Sequence, residues 1–427
     1  MERNKLVALC LVIPLILMVC AAHPVAAQGK ASTIRIGALW PLSGPSSREG
    51  QEAKAALELA KDIINQKTDL KGIPLAETEG LPNLGGAKIE LVWADSQGKP
   101  EVGRAETERL ITMEKVVAMI GAYQSAIVLT ATPVSERYGI PFLVADATNA
   151  EICKKGFKTV FRTTPINPAY VRDTQLMIDE FQKKFHTNYK RIAFSHDPSF
   201  QGVDYAREGK ETAEKNNYTV VGDVATQDPA TDVTPDVLKL KSLQPDILIL
   251  HHYSANAILL QKAFGKYKLD VKAVIAYSNS YNLSEFLTGA GKEAEYLFTP
   301  GTFPPRLIDT VPKIKQVNEM FKQKSGLERM SDVAARDIQA LLVLAEAINR
   351  AKSTEPQAVV KALSETNLTQ DQILMPWKGV KFDSTGENVL ASFVMQQIIK
   401  GQYEIVWPDN MATAKPVWPA PKWDERN

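Results

Sequence analysis

Two short polar turns, Tyr123-Gln124-Ser125 and Asp146-Ala147-Thr148, carry the residue types best suited to chemistry in this chain. Across residues 119–152 the pattern runs strand, polar turn, helix, strand, polar turn. Both turns therefore fall at the carboxyl ends of neighbouring parallel strands, where backbone N–H groups and helix N-termini converge on a small ligand. Ser125 and Thr148 add short hydroxyls to a rim that favours an anion. A serine opening a helix is by itself only an N-cap. Two such turns on adjacent strands predict a pocket.

Bond-making chemistry is not indicated. The chain contains no GxSxG elbow, no GxxxxGK[ST] phosphate loop, no HExxH and no CxxC pair. There are five histidines. His251 and His252 close one strand, and strand alternation turns their rings to opposite faces, so they do not share a metal. His252 is kept as a candidate ligand contact. His196-Asp197 at another strand end reads as an acid/base pair or a loop cap. No catalytic residue, metal or cofactor is expected, and the chain reads as a non-enzyme.

The elements that must position the turns follow from length and pattern. A chain of 427 residues exceeds what one hydrophobic core supports, so two domains are expected. With 50 basic and 49 acidic residues it has no field for nucleic acid or anionic membrane. Arg3 and Lys5 precede an apolar run, Leu6–Ala22, and the small-residue stretch Val25-Ala26-Ala27. That order predicts a signal peptide over residues 1–27 and export to the periplasm. Pro14 and the shortness of the run argue against a permanent membrane span. Val19 before Cys20 argues against a lipid anchor there. Cys153 is the one cysteine beyond the signal, which leaves no internal disulfide in an exported protein.

After the signal, buried strands (34–39, 88–92, 116–120) alternate with helical periodicity (52–64, 102–113), as in a parallel sheet covered on both faces. The alternation restarts beyond residue 160, with strands at 191–195, 219–224, 247–250 and 273–276. The reading is an α/β protein of two Rossmann-like lobes with parallel sheets and a ligand cleft between them. The first lobe is expected to comprise 31–160 plus about 299–372. The second comprises 161–298 plus about 373–427, which ends in a Trp/Pro-rich strap over the surface. Hinge closure is the expected motion.

Four segments resemble the periplasmic solute-binding proteins of ABC transporters of the leucine/isoleucine/valine-binding type: IRIGALWPLSGPSSREG at 34–50, residues 119–152, FRTTP at 161–165 and RIAFSHDPSFQG at 191–202. The resemblance runs over essentially the whole chain after the signal. It implies a type I periplasmic-binding-protein fold, with a hinge of three crossovers and a monomer that delivers a small ligand to a membrane permease. It also implies that Ser125, Ala147 and Thr148 hold a ligand carboxylate, a task that suits hydroxyls and N–H groups. Tyr123 and Trp40 would wall the ligand's side chain. Phe200 would add an aromatic from the second lobe, with Gln201 as the gapless match.

Three departures bear on the ligand. Where amino-acid-binding members carry an acidic partner for the ammonium, this chain has Tyr277 or Ser278. Glu49 stands where members often have an aromatic, and Asp146 where a small residue is usual. The first-lobe disulfide of some members is absent, with Ser96 and Gln124 near its positions. Two ligands are compatible with this. One is a branched-chain or hydrophobic amino acid whose ammonium meets Glu49 or Asp146. The other is an aromatic or branched carboxylic acid without an α-amine, against which Tyr277 forms an apolar wall. A ligand-sensing receptor component and an exported α/β enzyme are remoter alternatives.

Overall fold

Near-continuous apolar runs become the strands of a five-stranded parallel sheet: β1 (Thr33–Trp40), β2 (Lys88–Asp95), β3 (Ala118–Gly121), β4 (Phe142–Val144) and β5 (Val160–Arg162), in the order β2-β1-β3-β4-β5. Strands buried on both faces need no polar alternation, which is why these segments read as solid hydrophobic blocks. The computed structural model describes residues 33–426. The segment expected to be a signal peptide, with Cys10 and Cys20, lies outside the described residues.

A second sheet contains β6 (Arg191–His196), β7 (Thr219–Ala225), β8 (Ile247–His251), β9 (Ala273–Ala276) and β10 (Phe298–Gly301). A two-stranded hairpin, β11 (Asn367–Thr369) with β12 (Gly379–Lys381), stands apart from both large sheets. The chain then returns to the second sheet as β13 (Val394–Ile399) and β14 (Gln402–Trp407), giving the order β14-β13-β10-β9-β8-β6-β7. Only the β10–β13 and β13–β14 pairings of this sheet are antiparallel.

The chain crosses between lobes three times: between β5 and the helix Asn167–Lys184, just after β10, and between β12 and β13. Two expected boundaries move. Residues 299–301 stay in the second sheet as part of β10, a strand hidden from pattern reading because Pro300 breaks the alternation. Ile373, Leu374, Met375, Trp377, Val380 and Phe382 are buried in the first lobe's core. The return to the second lobe therefore falls between Phe382 and Phe393 rather than at about residue 373. Near the end of the chain, Trp418 packs against Phe181, Phe298 and Tyr189 of the second lobe. Cys153 is buried and unpaired. No helix among the described residues is long and apolar enough to cross a membrane.

The helix Ser47–Asn65 buries Ala53, Ala56, Leu57, Ala60, Ile63 and Ile64 against the helix Asp332–Ala351, whose buried residues run almost unbroken from Asp332 to Ile348. Its first turn lies directly on the loop after β1. A Cβ at Gly50 would sit 2.0 Å from the Pro41 carbonyl oxygen, a backbone atom that no rotamer change can move. Gly50→Ala is expected to destabilise the protein by about 1–3 kcal/mol through overpacking. Thermal unfolding checks this, and an unchanged midpoint would show that the helix shifts freely.

Candidate functional site

The Asp146–Asn149 turn is oriented from behind by two guanidinium groups. Arg336 Nη1 donates to the Asp146 carbonyl at 3.2 Å. Arg162 Nη1 donates to the carbonyls of Ala147 (3.0 Å) and Asn149 (2.7 Å). The Asn167 N–H donates to the Thr148 carbonyl at 2.8 Å. In a trans peptide the N–H points opposite to the preceding carbonyl. Fixing these carbonyls inward therefore turns the N–H groups of Ala147 and Thr148 toward the cleft. Ser125 opens the helix Ser125–Tyr138 beside them, and its Oγ accepts from the Asn149 N–H at 3.3 Å. The result is a concave rim of N–H and hydroxyl groups at the carboxyl ends of β3 and β4.

The second lobe faces this rim with aromatic rings. Tyr205 stacks on Tyr277, with centroids 4.9 Å apart and planes 12° apart, and on His251 at 5.2 Å and 28°. Tyr253 meets His251 edge-on at 5.8 Å and reaches Tyr123 of the first lobe at 6.0 Å. These residues line one cavity together with Gln124, Asp146, Tyr170, Gln201, Ser278 and Asn279, with a volume of about 30 Å³ between the lobes. Behind the rings, His251 Nδ1 lies 3.0 Å from Asp197 Oδ2. Burial raises the Asp197 carboxyl, but the hydrogen bond and charge of His251 outweigh it and hold it at about 2. Asp197 is thus an anion that accepts the Nδ1 proton. Among the described residues no group of three His, Cys, Asp or Glu side chains is placed to hold a metal.

The structure brings together some of the expected residues and separates others. Tyr123, Ser125, Asp146, Thr148, Gln201 and Tyr277 line the cavity, and Ala147 lies in its rim. Gln201 Nε2 donates to Thr148 Oγ1 (3.1 Å) and Asn167 Oδ1 (2.8 Å), tying the second lobe to the first. Phe200 does not contribute. It is the first residue of its helix and 47% exposed, while the next residue, Gln201, turns inward. His252 is also outside the cavity. Its Nε2 lies 3.0 Å from Ser195 Oγ on the opposite face of β8, and burial drives its ring down to about 3. Trp40 is fully buried in the first core, edge-on to Trp93, rather than on the cavity wall.

Neither acidic candidate is free for an ammonium. Glu49 is fully buried and reaches across the cleft to accept hydrogen bonds from Ser254 Oγ and from Ser280 Oγ (2.7 Å). It clasps the lobes beside the cavity instead of lining it. Asp146 Oδ1 is 2.8 Å from Arg336 Nη2, whose Nε is 2.7 Å from Asp332. Burial raises the Asp146 carboxyl against the pull of Arg336. Asp337 beside it is pushed well up, by burial first and then by the Asp146 charge. One cation thus pairs with two buried acids, and the upward push on Asp337 favours its neutral form, which spares the set a third negative charge.

Sequence reasoning missed Tyr170, Tyr205, His251, Tyr253 and Asn279. A signal existed for two of them. Tyr205 stands four residues after Gln201, on the same helix face. His251 is the last residue of β8, at the same sheet edge as the other site residues.

Two α/β lobes joined by three crossovers, with a small polar-rimmed cavity at their facing strand ends, define the two-lobed architecture of a ligand-binding protein. The periplasmic binding protein family model matches residues 33–402, and the chain belongs to that family. It is 27% identical over 413 residues to the Leu/Ile/Val-binding protein homolog 7 of Brucella abortus (strain 2308), covering 94% of this chain and 98% of that one. The fold is similar to that of the branched-chain amino acid transporter substrate-binding protein LivJ of Streptococcus pneumoniae in complex with isoleucine. There the TM-score is 0.72 at 20% identity, over 91% of this chain and 100% of the other. It is similar also to an ABC-transporter solute-binding protein from R. palustris in complex with benzoate. That match has a TM-score of 0.73 at 18% identity, over 91% and 98% of the two chains.

Proposed function

We propose that this protein is the exported, extracytoplasmic binding component of an ABC importer. In this reading it captures a small carboxylate-bearing ligand between its lobes and hands it to a membrane permease. The observation that carries the reading is the pairing of an N–H and hydroxyl rim, backed by Arg162 and Arg336, with a wall of stacked aromatics opposite. A carboxylate suits the rim and an apolar or aromatic body suits the wall. Ser125→Ala should weaken carboxylate binding about 10- to 100-fold, the scale of one hydrogen bond to a charged group. Titration calorimetry measures it, and unchanged affinity would sink the assignment of the rim.

Within this class two ligands compete. The engagement of Glu49 and Asp146 elsewhere favours an acid without an α-amine, since a buried ammonium lacking a carboxylate is costly. The name of the Brucella relative favours a branched-chain amino acid. Parallel titrations with leucine, its deaminated analogue 4-methylpentanoate and benzoate separate the two. Binding of leucine alone would establish the amino acid.

A further inference from the structure

The cavity wall can be followed as a circuit. From Ser125 the path runs to the Asn149 N–H and its neighbour Thr148. Thr148 Oγ1 lies 3.5 Å from the Tyr205 hydroxyl, and Tyr205 stacks on His251. His251 meets Tyr253, and Tyr253 meets Tyr123, which leads back through Gln124 to Ser125. On this circuit His251 is flanked by one tyrosine on each side and stands opposite the Ser125–Thr148 rim. A ligand gripped at the rim by its carboxylate therefore presents its far end to His251.

The chemistry offered at that point is specific. Asp197 accepts the Nδ1 proton at 3.0 Å and also accepts from the Ser199 N–H at 2.9 Å, so its carboxylate is anchored in place. With Nδ1 committed to Asp197, Nε2 is the ring atom left to meet a ligand, and a hydroxyl suits it because it can both give and take a hydrogen bond. His251 Nε2 has no hydrogen-bond partner among the described residues, and the ring lines the cavity. It is a polar atom on the cavity wall, set between the rings of Tyr205 and Tyr253.

Resting on the carboxylate reading above, we propose that His251 is a specificity-determining residue that selects carboxylic acids bearing a hydroxyl at the end remote from the carboxylate, such as a para-hydroxylated aromatic acid. Asp197 acts through it as a positioning residue. The ligand hydroxyl pairs with Nε2 while its ring lies against Tyr205 and Tyr277. An acid lacking the hydroxyl leaves Nε2 unpaired in a buried site, which disfavours it.

The test is calorimetric titration of the intact protein with benzoate and 4-hydroxybenzoate, repeated on His251→Phe and Asp197→Asn. The wild type should bind the hydroxylated acid about fivefold to tenfold more tightly. His251→Phe keeps an aromatic ring against Tyr205 and should abolish that preference while still binding benzoate. Asp197→Asn keeps the imidazole, releases its tautomer and should lower the preference too, and it decides the matter if His251→Phe does not fold. A wild type that binds both acids equally, or a preference that survives both substitutions, overturns the role of His251 and leaves the carboxylate reading standing. Failure of the wild type to bind any carboxylate tested overturns that reading and this proposal with it.

Discussion

Replacing Arg336 with methionine should lower unfolding stability by about 3–5 kcal/mol, the scale for removing one partner from a buried ion pair. The side chain is fully buried. Its Nη2 and Nε face Asp146 and Asp332, while Nη1 donates to the Asp146 carbonyl and to Thr164 Oγ1 at 3.1 Å. Methionine fills much of the volume but leaves three buried acids without a cation. Those acids must then take up protons to remain buried, so the folded variant binds more protons than its unfolded chain. Its stability falls as pH rises, and the loss relative to wild type should be larger at pH 8 than at pH 5. Arg336→Lys keeps the charge but not the planar fork, and should lie between the two. Urea unfolding at both pH values measures this. A loss below about 1 kcal/mol for the methionine variant would mean that the acids do not depend on the guanidinium.

The second large effect concerns Glu52, one helical turn after Glu49. Burial raises its carboxyl to about 7, against hydrogen bonding from Ser331, with repulsion from Glu49 and Glu285 adding to the rise. The folded state therefore holds a proton that the unfolded chain has already released between pH 4.5 and about 7. Stability is full below that window and is lost as pH rises through it, by about 3 kcal/mol at most. Glu52→Gln keeps an oxygen that can accept from the Ser331 N–H, now at 3.2 Å, and removes the ionisation. Its melting temperature should exceed that of wild type at pH 8.5 and match it at pH 4.5. A gain that is equal at both pH values would point to packing rather than titration.

The polar rim was legible because the strands, turns and hydroxyls that carry it are local. Strand, turn and helix N-terminus follow one another within residues 119–152, and Ser125 and Thr148 occupy the turns themselves. The fold class was legible for the same reason, since buried strands and amphipathic helices alternate along the chain. The clasp was not. Glu49 finds Ser254 and Ser280 at separations of 205 and 231 residues, and no local pattern announces a carboxylate that crosses a cleft. Arg336 touches the Asp146 carbonyl from 190 residues away and belongs to no motif. Alternation separated His251 from His252 correctly, but which face of β8 meets the cleft depends on how the second sheet is turned toward the first. Phe200 and Gln201 pose the same problem on a helix, where a rotation of one residue exchanges the solvent-facing and ligand-facing side chains.

The packing of the helix Ser47–Asn65 on the helix Asp332–Ala351 also orders events during synthesis. All five strands of the first sheet exist once residue 162 has been made, yet the apolar stripe of Ala56, Leu57, Ala60, Ile63 and Ile64 finds most of its helical cover in a helix that begins at Asp332. Closing so long a loop must wait for chain that has not yet emerged, whereas β6 to β9 of the second sheet and their covering helices arrive as one uninterrupted stretch. The lobe made first therefore waits for its cover until most of the second lobe has been made. A nascent or truncated chain that stops short of residue 332 leaves much of the Ser47–Asn65 stripe uncovered, a surface prone to aggregation and suited to capture by a chaperone.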